Sequence, residues 1–514
     1  MHSNLLPPFL PALALFSLAP AQAPDVVRAE RAPVVLGPSP AVASHDTNAN
    51  RWADGLAGLA DQVLFDAPGD GRIWALAATY KASFGAEGFT YVPFFGSQAP
   101  RNYPVRFVVR GVRVGGVALQ LAKDAKVVRD GARVSLLRGP VREVYDLAPR
   151  SVEQTFVVDG DLPGDVEVEV EVVTDLVEDR ARDGLQFGNE LGFVEYGSAC
   201  LVRGTERTAI ASVFVDGVLR LVVPAAQRGP GAVIIDPIIT TSSLTRTTVA
   251  SELPDVAYDA TTDRWAVVWA NVFSQTDHDI VAELRTGRGE SIAGSYRSID
   301  ATTTSHSWPR IANLNAADRF LITMERHDSQ GSGAQYSVWS RTLEAASPFP
   351  VGPMVQISPN ASVDQKSADV GGDPGTGTNW AVVWLHGTDV HARLVDASGT
   401  PSSPVIPIER TSAVCINPQI SLSNGNGQVA QPHWCIVYMN QASGSNWDVY
   451  GATLAPDGTV TRPHGPIAVA ASNDLYTYVS SPLVDGRTKP VFLVSYERQE
   501  ASGPEMIAVG IDSD

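Results

Sequence analysis

The sequence has few cysteines and lacks the short motifs that mark zinc, phosphate and dinucleotide sites. Its 514 residues include three cysteines, and none of them stands in a CxxC or Cys/His spacing suited to zinc. No Gly-x-Ser-x-Gly elbow, phosphate-binding loop or dinucleotide fingerprint occurs. These absences predict a protein with no bound metal and no cofactor.

Positive charge and long apolar runs are also scarce. Lys and Arg number 38 against 56 Asp and Glu, so the formal net charge is −18. Such a field repels phosphate backbones and anionic lipid heads, which excludes nucleic acid and membrane surfaces as partners. No stretch reaches the roughly 18 apolar residues of a membrane-spanning helix, and we expect no membrane insertion. The partner expected is an unidentified protein or glycan.

The first 50 residues predict an exported chain. The apolar run from Phe9 to Leu18 is too short to span a bilayer, and Ala19-Pro20-Ala21 after it suits a cleavage site. We therefore assign residues 1–21 to a signal peptide, which implies a secreted, periplasmic or cell-surface protein. Residues 22–50 are proline-rich without sustained periodicity, as in a flexible linker.

Residues 51–240 consist of short strand-like segments separated by tight turns. The segment from Val166 to Val172 alternates Val and Glu strictly, which places every Val on one face and every Glu on the other. Almost no helical periodicity interrupts these segments. The pattern predicts an all-β fold whose N-terminal domain is β-sandwich-like.

Residues 241–514 contain five copies of one unit. The segments 265–269 and 380–384 are both Trp-Ala-Val-Val-Trp, and looser copies occupy 320–324, 434–438 and 492–496. The copies are spaced by 54 to 60 residues, and each shows segments suited to four short strands, except that the fifth ends after its third. This repeat predicts a five-bladed β-propeller. We expect the segment Ser243–Val249 to supply the missing outer strand and close the ring.

The repeats also resemble a known group of proteins. The pattern Pro-x-Val-Ala, then Trp-Ala-Val-Val-Trp, then Asp-Ile-Val-Ala is similar to that of exported bacterial proteins with an N-terminal β-rich domain and C-terminal propeller-type repeats. Segments 193–197 (Phe-Val-Glu-Tyr-Gly) and 233–237 (Val-Ile-Ile-Asp-Pro) extend the resemblance into the N-terminal domain. The resemblance implies export and this architecture, and carries no catalytic residues over to this chain.

Equivalent inner positions of the five copies carry mixed chemistry. These positions are Asp255, Arg310, Asp369, Gln419 and Leu483. Because the set is mixed, and because Arg310 would hold a nearby Asp ionised, we predict an exported non-enzymatic protein with an interaction or surface-structural role. The alternative is a carbohydrate-binding or glycoside-cleaving propeller, in which paired carboxylates among Asp255, Asp369 and Glu325 would catalyse.

Several other residues are candidates for ligand contacts. Trp308, Trp339 and Trp447 lie outside the core strands and either stack on a sugar or pack internally. His386, Asp389 and His391 fall within six positions and offer a metal ligand set, although Asp389 occupies a slot shared with Asp279 and Asp448, which favours a structural role. Turn aspartates could bind calcium, but turn formation is favoured; these are Asp66, Asp70, Asp159, Asp161 and Asp165.

Two of the cysteines fall within one repeat. Cys415 precedes the first strand of the fourth copy, and Cys435 lies in its second strand. Adjacent strands are about 5 Å apart, so residues that lie opposite each other satisfy disulfide geometry. We therefore predict a Cys415–Cys435 disulfide, with Cys200 left as a small buried hydrophobe.

Overall fold

The computed structural model describes residues 34–35, 62–160, 163–179, 185–243, 249–327, 335–373, 378–409, 413–421, 430–441, 446–483 and 488–512. The predicted signal peptide and nearly all of the predicted linker lie outside these residues. Val34 and Val35 of that linker form a short strand that pairs with Phe214 and Val213. The described chain is all-β, apart from two short 3-10 turns at Ala225–Gln227 and Asn315–Ala317. No described helix is long and apolar enough to cross a membrane.

The N-terminal part contains two large antiparallel sheets. Its strands are β1 (Val34–Val35), β2 (Leu64–Asp66), β3 (Ile73–Leu76), β4 (Tyr80–Gly85), β5 (Gly88–Pro93), β6 (Val105–Val114), β7 (Val117–Ala118), β8 (Lys126–Asp130), β9 (Arg133–Leu137), β10 (Val141–Ala148), β11 (Ser151–Val158), β12 (Val166–Thr174), β13 (Val177–Asp179), β14 (Leu185–Asn189), β15 (Gly192–Tyr196), β16 (Cys200–Arg203), β17 (Glu206–Ala209), β18 (Ala211–Val215), β19 (Val218–Val223), β20 (Val233–Asp236) and β21 (Ile238–Ser243). The first sheet runs β1-β18-β19-β12-β6-β5-β4-β3-β2, with β7 on β6. The second runs β13-β14-β15-β21-β11-β10-β9-β8, with β16, β17 and β20 attached.

The two N-terminal sheets share one hydrophobic core. The predicted alternation in β12 is confirmed: Val166, Val168 and Val170 are buried in this core, whereas the glutamates between them are more exposed. Phe89 and Tyr145, one from each sheet, meet there with ring centroids 4.6 Å apart. Burial of one face of each strand therefore holds the two sheets together.

The C-terminal part contains five consecutive antiparallel sheets, here called repeat sheets 1 to 5. Repeat sheet 1 contains β22 (Ala250–Asp259), β23 (Arg264–Ser274), β24 (Asp277–Thr286) and β25 (Arg297–Asp300). Sheet 2 contains β26 (His306–Leu314), β27 (Arg319–His327), β28 (Tyr336–Glu344) and β29 (Val355–Gln356). Sheet 3 contains β30 (Gln365–Gly371), β31 (Asn379–His386), β32 (Asp389–Asp396) and β33 (Ile406–Glu409). Sheet 4 contains β34 (Val414–Ile420), β35 (Trp434–Gln441), β36 (Asp448–Leu454) and β37 (Val460–Ala468). Sheet 5 contains β38 (Asp474–Val479), β39 (Val491–Glu500) and β40 (Gly503–Asp512).

Second strands of the repeat sheets are buried on both faces where two neighbouring sheets cover them. In β31, Trp380, Val382 and Trp384 pack against repeat sheet 2, and Ala381 and Val383 pack against repeat sheet 4. This arrangement explains why that strand lacks polar alternation. The first strands of consecutive repeat sheets are neighbours along the series. The predicted five-fold repeat of strand-rich units is thus present in the structure.

The segment Ser243–Val249, which was predicted to close the ring, begins in the second N-terminal sheet. Ser243 is the last residue of β21 and pairs with Gly192 of the second N-terminal sheet. Residues 244–248 lie outside the described residues. Val249 packs against the apolar cluster that the N-terminal part and repeat sheet 1 share. The expectation that this segment completes repeat sheet 5 is therefore wrong at Ser243, because strand pairing in the N-terminal sheet already uses that residue.

A buried ion cluster joins the N-terminal part to repeat sheet 1. Strand β4 is buried on both faces, and Lys81 points away from the N-terminal core. Its Nζ lies 2.7 Å from Asp277 Oδ2 and 2.6 Å from Asp279 Oδ1, and it donates to the Thr302 carbonyl at 2.9 Å. Burial alone would lower the pKa of Lys81, but the two aspartate charges raise it above its ordinary value. Lys81 therefore remains charged inside this contact.

The predicted Cys415–Cys435 disulfide is not formed, and all three cysteines are free. The register explains why: Cys415 lies opposite Asn440, five positions along β35 from Cys435. Five strand residues span about 16 Å, far beyond the roughly 7 Å limit for Cα atoms of a disulfide. Cys415 Sγ instead accepts a hydrogen bond of 3.3 Å from Asn440 Nδ2. Cys200 is half-buried rather than buried.

We expect the thiols of Cys415 and Cys435 to be unreactive in the folded protein. Burial raises the pKa of each to about 12, so the thiolate that attacks alkylating reagents is scarce at neutral pH. Iodoacetamide should label both only after unfolding, which peptide mass mapping under non-reducing conditions would measure. Recovery of a peptide linked through these two residues from native protein would contradict the register described above.

Candidate functional site

Each first strand of the five repeat sheets carries a β-bulge at the same place. The ladder shifts register between Glu252 and Asp255 in β22, and equivalent shifts occur in the other four first strands. Each bulge contains a non-glycine residue with φ near +50°: Leu253, Trp308, Ser367, Asn417 and Tyr476. Bulges redirect side chains and are frequent next to active sites, and side chains rarely adopt this backbone conformation without a structural requirement. We therefore treat the row of bulges as the candidate site.

The residue two positions after each strained residue occupies the predicted inner slot. Four of the five predicted slot residues are confirmed in this place, namely Asp255, Arg310, Asp369 and Gln419. The fifth is Tyr478, whereas Leu483 lies outside the sheet's first strand and bridges to Val491. Pro482-Leu483 imitates the Pro-x pattern of three other copies, but the bulge itself does not require proline.

Two aspartates in these slots connect consecutive repeat sheets. Asp255 Oδ2 accepts a 2.9 Å hydrogen bond from the Ile311 backbone N–H of repeat sheet 2. Asp369 Oδ2 accepts a 2.8 Å bond from the Ile420 N–H of repeat sheet 4. Each carboxylate thus satisfies a backbone donor that the bulge leaves outside the ladder. The bonds fix the position of both carboxyl groups relative to the neighbouring sheet.

Arg310 and Glu325 complete the cluster. Arg310 Nε lies 4.0 Å from Asp369 Oδ1. Glu325, at the bulge of repeat sheet 2, accepts a hydrogen bond from the Ser367 N–H through Oε1. The positive charge of Arg310 acts on all three carboxyl groups, Asp255, Glu325 and Asp369. The structure thus brings together the three carboxylates of the alternative sequence prediction around one guanidinium.

Burial determines the protonation of these carboxyl groups. It raises the pKa of Asp369 to about 7, while the Ile420 N–H and Arg310 oppose the shift and the charge of Asp255 adds to it. Burial also raises the pKa of Asp255 and of Glu325 above their ordinary values. The prediction that Arg310 would hold a neighbouring Asp ionised is therefore wrong for Asp369, because loss of hydration outweighs a charge 4.0 Å away.

Aromatic side chains also occupy the row of bulges. Trp308, the strained residue of repeat sheet 2, is 37% exposed, and the Arg310 guanidinium lies 5.3 Å from its ring centroid. Tyr476 and Tyr478 of repeat sheet 5 are 55% and 59% exposed. Trp339 is held by Ser337 Oγ at 2.9 Å and packs against the apolar core between repeat sheets 1 and 2. Of the three sugar-stacking candidates, Trp308 has the exposed ring that stacking requires, whereas Trp339 and Trp447 are half-buried.

The remaining candidates do not form a metal site. The rings of His386 and His391 stack with centroids 4.6 Å apart, and His386 Nδ1 lies 3.2 Å from Gln365 Oε1. Asp66 pairs with Arg341, and Asp70 accepts from Trp74 Nε1 at 2.7 Å. Among the described residues, no three His, Cys, Asp or Glu side chains are arranged to hold a metal ion; Asp161 lies outside them.

The comparisons find similarity to solved structures alone. No protein-family model and no curated protein matches the chain. An endo-arabinase from Bacteroides thetaiotaomicron is 10% identical, with 50% of this chain and 93% of that chain covered and a TM-score of 0.29. A GH43 β-1,3-galactosidase is 7% identical, with 52% and 91% covered and a TM-score of 0.30. The NanB sialidase from Streptococcus pneumoniae is 7% identical, with 88% and 87% covered and a TM-score of 0.30. Similarities of this size do not by themselves assign a reaction.

The expectation of a non-enzymatic protein is corrected at this point. The three similar structures carry the names of carbohydrate-cleaving enzymes. The physical objection to catalysis fails, because burial raises the pKa of Asp369, whereas the sequence argument had expected Arg310 to hold that carboxyl group ionised. Mixed chemistry in the slots is compatible with a site that uses only some of them.

Proposed function

We propose that this chain is an exported, glycan-cleaving protein whose reaction takes place among the bulges of repeat sheets 1 to 3. The observation that carries the proposal is the placement of Asp255, Glu325 and Asp369 around Arg310 at consecutive bulges, where burial raises the pKa of each carboxyl group. Carboxyl groups with perturbed pKa values cluster at catalytic sites. Export is inferred from the apolar run at residues 9–18, and secretion would bring the protein to extracellular glycans.

The proposed architecture is a β-sandwich followed by five propeller blades, one for each repeat sheet. Support comes from the apolar cores between consecutive repeat sheets and from the Asp255 and Asp369 bonds to the next sheet. A propeller gathers its first strands at the central axis. The carboxyl groups would then lie near that axis.

The proposed chemistry divides two roles between carboxyl groups. Asp369, protonated at mildly acidic pH, would donate its proton to the glycosidic oxygen as the bond to the sugar breaks. Asp255 is less buried and therefore closer to water. It would act either as the base that takes a proton from the water attacking the sugar carbon, or as the nucleophile whose glycosyl ester is then hydrolysed by water. Glu325 and Arg310 would set the local charge, with Arg310 preventing all three carboxyl groups from being neutral together.

A hydrolysis screen tests this proposal. Purified protein would be incubated with chromogenic glycosides and plant and animal polysaccharides, and reducing ends would be measured. Hydrolysis that is lost in Asp369→Asn supports the proposal. Binding of a glycan without its hydrolysis would reject cleavage and leave a carbohydrate-binding role. Asp255 and Asp369, which accept hydrogen bonds from backbone N–H groups, would also serve that role.

We expect Trp308→Ala to weaken glycan binding. A sugar face stacked on this half-exposed ring would lose about 1 kcal/mol of aromatic contact, or roughly fivefold in affinity. KM or Kd for the substrate identified in the screen measures the effect. Trp339→Ala provides the matched control, because that ring is partly buried in packing; an equal loss of affinity in both variants would indicate a general effect on the fold.

A further inference from the structure

A second opening lies away from the bulges, between the N-terminal part and the outer edges of repeat sheets 1 and 2. It is a cavity of about 440 Å³ lined by residues 62–67, which include β2, and by Arg129, residues 296–298, Arg341 and residues 349–351. Cavities of this size between domains commonly hold small ligands. The row of bulges lies on the first strands, whereas these residues lie on the third and fourth strands and on the N-terminal sheets.

The cavity carries positive charge in an acidic protein. Its charged lining consists of Arg129, Arg297, Arg341 and a single carboxylate, Asp66. Asp66 pairs with Arg341. Within the described part of the chain, Arg129 and Arg297 have no carboxylate partner. The chain as a whole has a net charge of −18. Guanidinium charge without a carboxylate partner in an acidic protein favours a negatively charged occupant.

The two guanidinium groups are held in place. Arg129 stacks on Phe65 with 3.9 Å between guanidinium carbon and ring centroid, and its Nε donates to the Gly131 carbonyl at 2.9 Å. Arg297 donates to four backbone carbonyls: Nε to Phe349 at 2.9 Å, Nη1 to Gly294 at 2.8 Å and to Tyr296 at 2.7 Å, and Nη2 to Pro348. Arg129 is therefore the guanidinium group that remains available to a ligand. Partial burial lowers the pKa of both arginines below its ordinary value. Stacked and anchored guanidinium groups are suited to planar oxyanions.

A buried hydroxyl group in the same wall lacks a partner. Ser298 is 3% exposed and lines the cavity. Its Oγ makes no hydrogen bond within the part of the chain that the structure describes. Buried polar atoms are usually satisfied, so an unsatisfied one beside a cavity indicates a group that binds there. Because Oγ has almost no accessible surface in this rotamer, a rotation about χ1 toward the cavity would let Ser298 donate a hydrogen bond to a ligand oxygen.

We propose that this cavity binds a small organic anion through an oxyanion group, such as the carboxylate of a uronic acid or a sugar phosphate or sulfate. Arg129 provides the ionic contact and Ser298 a neutral hydrogen bond. The volume admits a ligand of monosaccharide size or somewhat larger. This binding does not depend on the proposed hydrolysis, because none of its residues belongs to the bulges.

Calorimetric titration at low ionic strength tests the proposal with glucuronate, glucose 6-phosphate, inorganic sulfate and neutral glucose. Arg129→Gln should weaken anion binding roughly tenfold or more, because a charge-assisted bond is lost. Ser298→Ala should weaken it a few-fold without unfolding, since its hydroxyl has no protein partner to lose. Arg133→Gln, on the adjacent strand β9 and paired with Asp146, is the matched control and should bind as wild type.

The outcomes separate ligand sources and decide the proposal. Binding of glucuronate or glucose 6-phosphate but not of sulfate supports an organic ligand. If sulfate binds with the same affinity as these sugar anions, the cavity recognises the oxyanion group and does not contact the sugar. Added salt should weaken either interaction. Equal affinity for glucose and glucuronate, absence of binding by every anion, or the same affinity in Arg129→Gln and Arg133→Gln would overturn the proposal.

Discussion

Asp369→Asn should reduce glycan hydrolysis by about 10²- to 10⁴-fold while the protein remains folded. The asparagine cannot donate a proton to the glycosidic oxygen, whereas its amide oxygen can still accept one of the two backbone hydrogen bonds that Asp369 receives. Initial rates on the substrate found in the screen, with circular dichroism to verify folding, measure the effect. Asp389→Asn, in the third strand of the same repeat sheet, is the matched control and should retain its activity.

The pH dependence provides a separate readout of the same residue. Because the pKa of Asp369 is raised to about 7, the proton-donating form predominates below pH 7 and is lost above it. Hydrolysis should therefore fall as the pH rises through about 7, and the residual rate of Asp369→Asn should lack this fall. A wild-type rate that increases through the same range, or an asparagine variant with full activity, would remove Asp369 from the role of acid.

Lys81→Met should lower the free energy of unfolding by about 3–5 kcal/mol. The ammonium group is the cation that faces Asp277 and Asp279, and all three side chains are fully buried. Without it, two carboxylates at the contact between the N-terminal part and repeat sheet 1 must either remain ionised without a cation or bind protons. Urea unfolding monitored by tryptophan fluorescence measures the loss, and Lys126→Met, at an exposed strand position, should change stability little.

Adding Asp279→Asn to Lys81→Met should restore part of the lost stability. Burial and the charge of Asp277 raise the pKa of Asp279 well above its ordinary value, so an uncharged amide suits this site once the ammonium group is gone. For the same reason the deficit of Lys81→Met should shrink as the pH falls and the carboxyl groups bind protons. A deficit independent of pH, with no recovery in the double variant, would point to lost packing of the lysine stem instead.

The parts of the fold that repeat were predictable from the sequence because packing dictates them. The Trp-Ala-Val-Val-Trp segments are continuous apolar runs, and the strand that contains Trp380 and Trp384 is indeed covered on both faces. Its identical copy at 265–269 is less buried, because one face of repeat sheet 1 meets the N-terminal part instead of another repeat sheet. Periodicity therefore identified the strands without revealing what covers each one.

Register and long-range pairing were not predictable. The disulfide prediction placed Cys415 and Cys435 on neighbouring strands, and it failed because ladder register decides which residues are opposite. Tyr478 was missed because Leu483 better matched the Pro-x pattern. Lys81 gave no signal, since its partners are almost 200 positions away. The three carboxylates could be named, but their protonation depends on burial, which a sequence does not display.

The bulges separate the chemistry of the repeat sheets from their stability. Leucine, tryptophan, serine, asparagine and tyrosine all adopt the same positive φ there, so the bulge does not require one residue type at that point. A point mutation in this row changes what the surface presents and leaves the apolar second strands intact. Duplication of one unit would thus supply five independently variable positions on a constant scaffold, and new ligand preferences could evolve without insertion of loops or redesign of the interior.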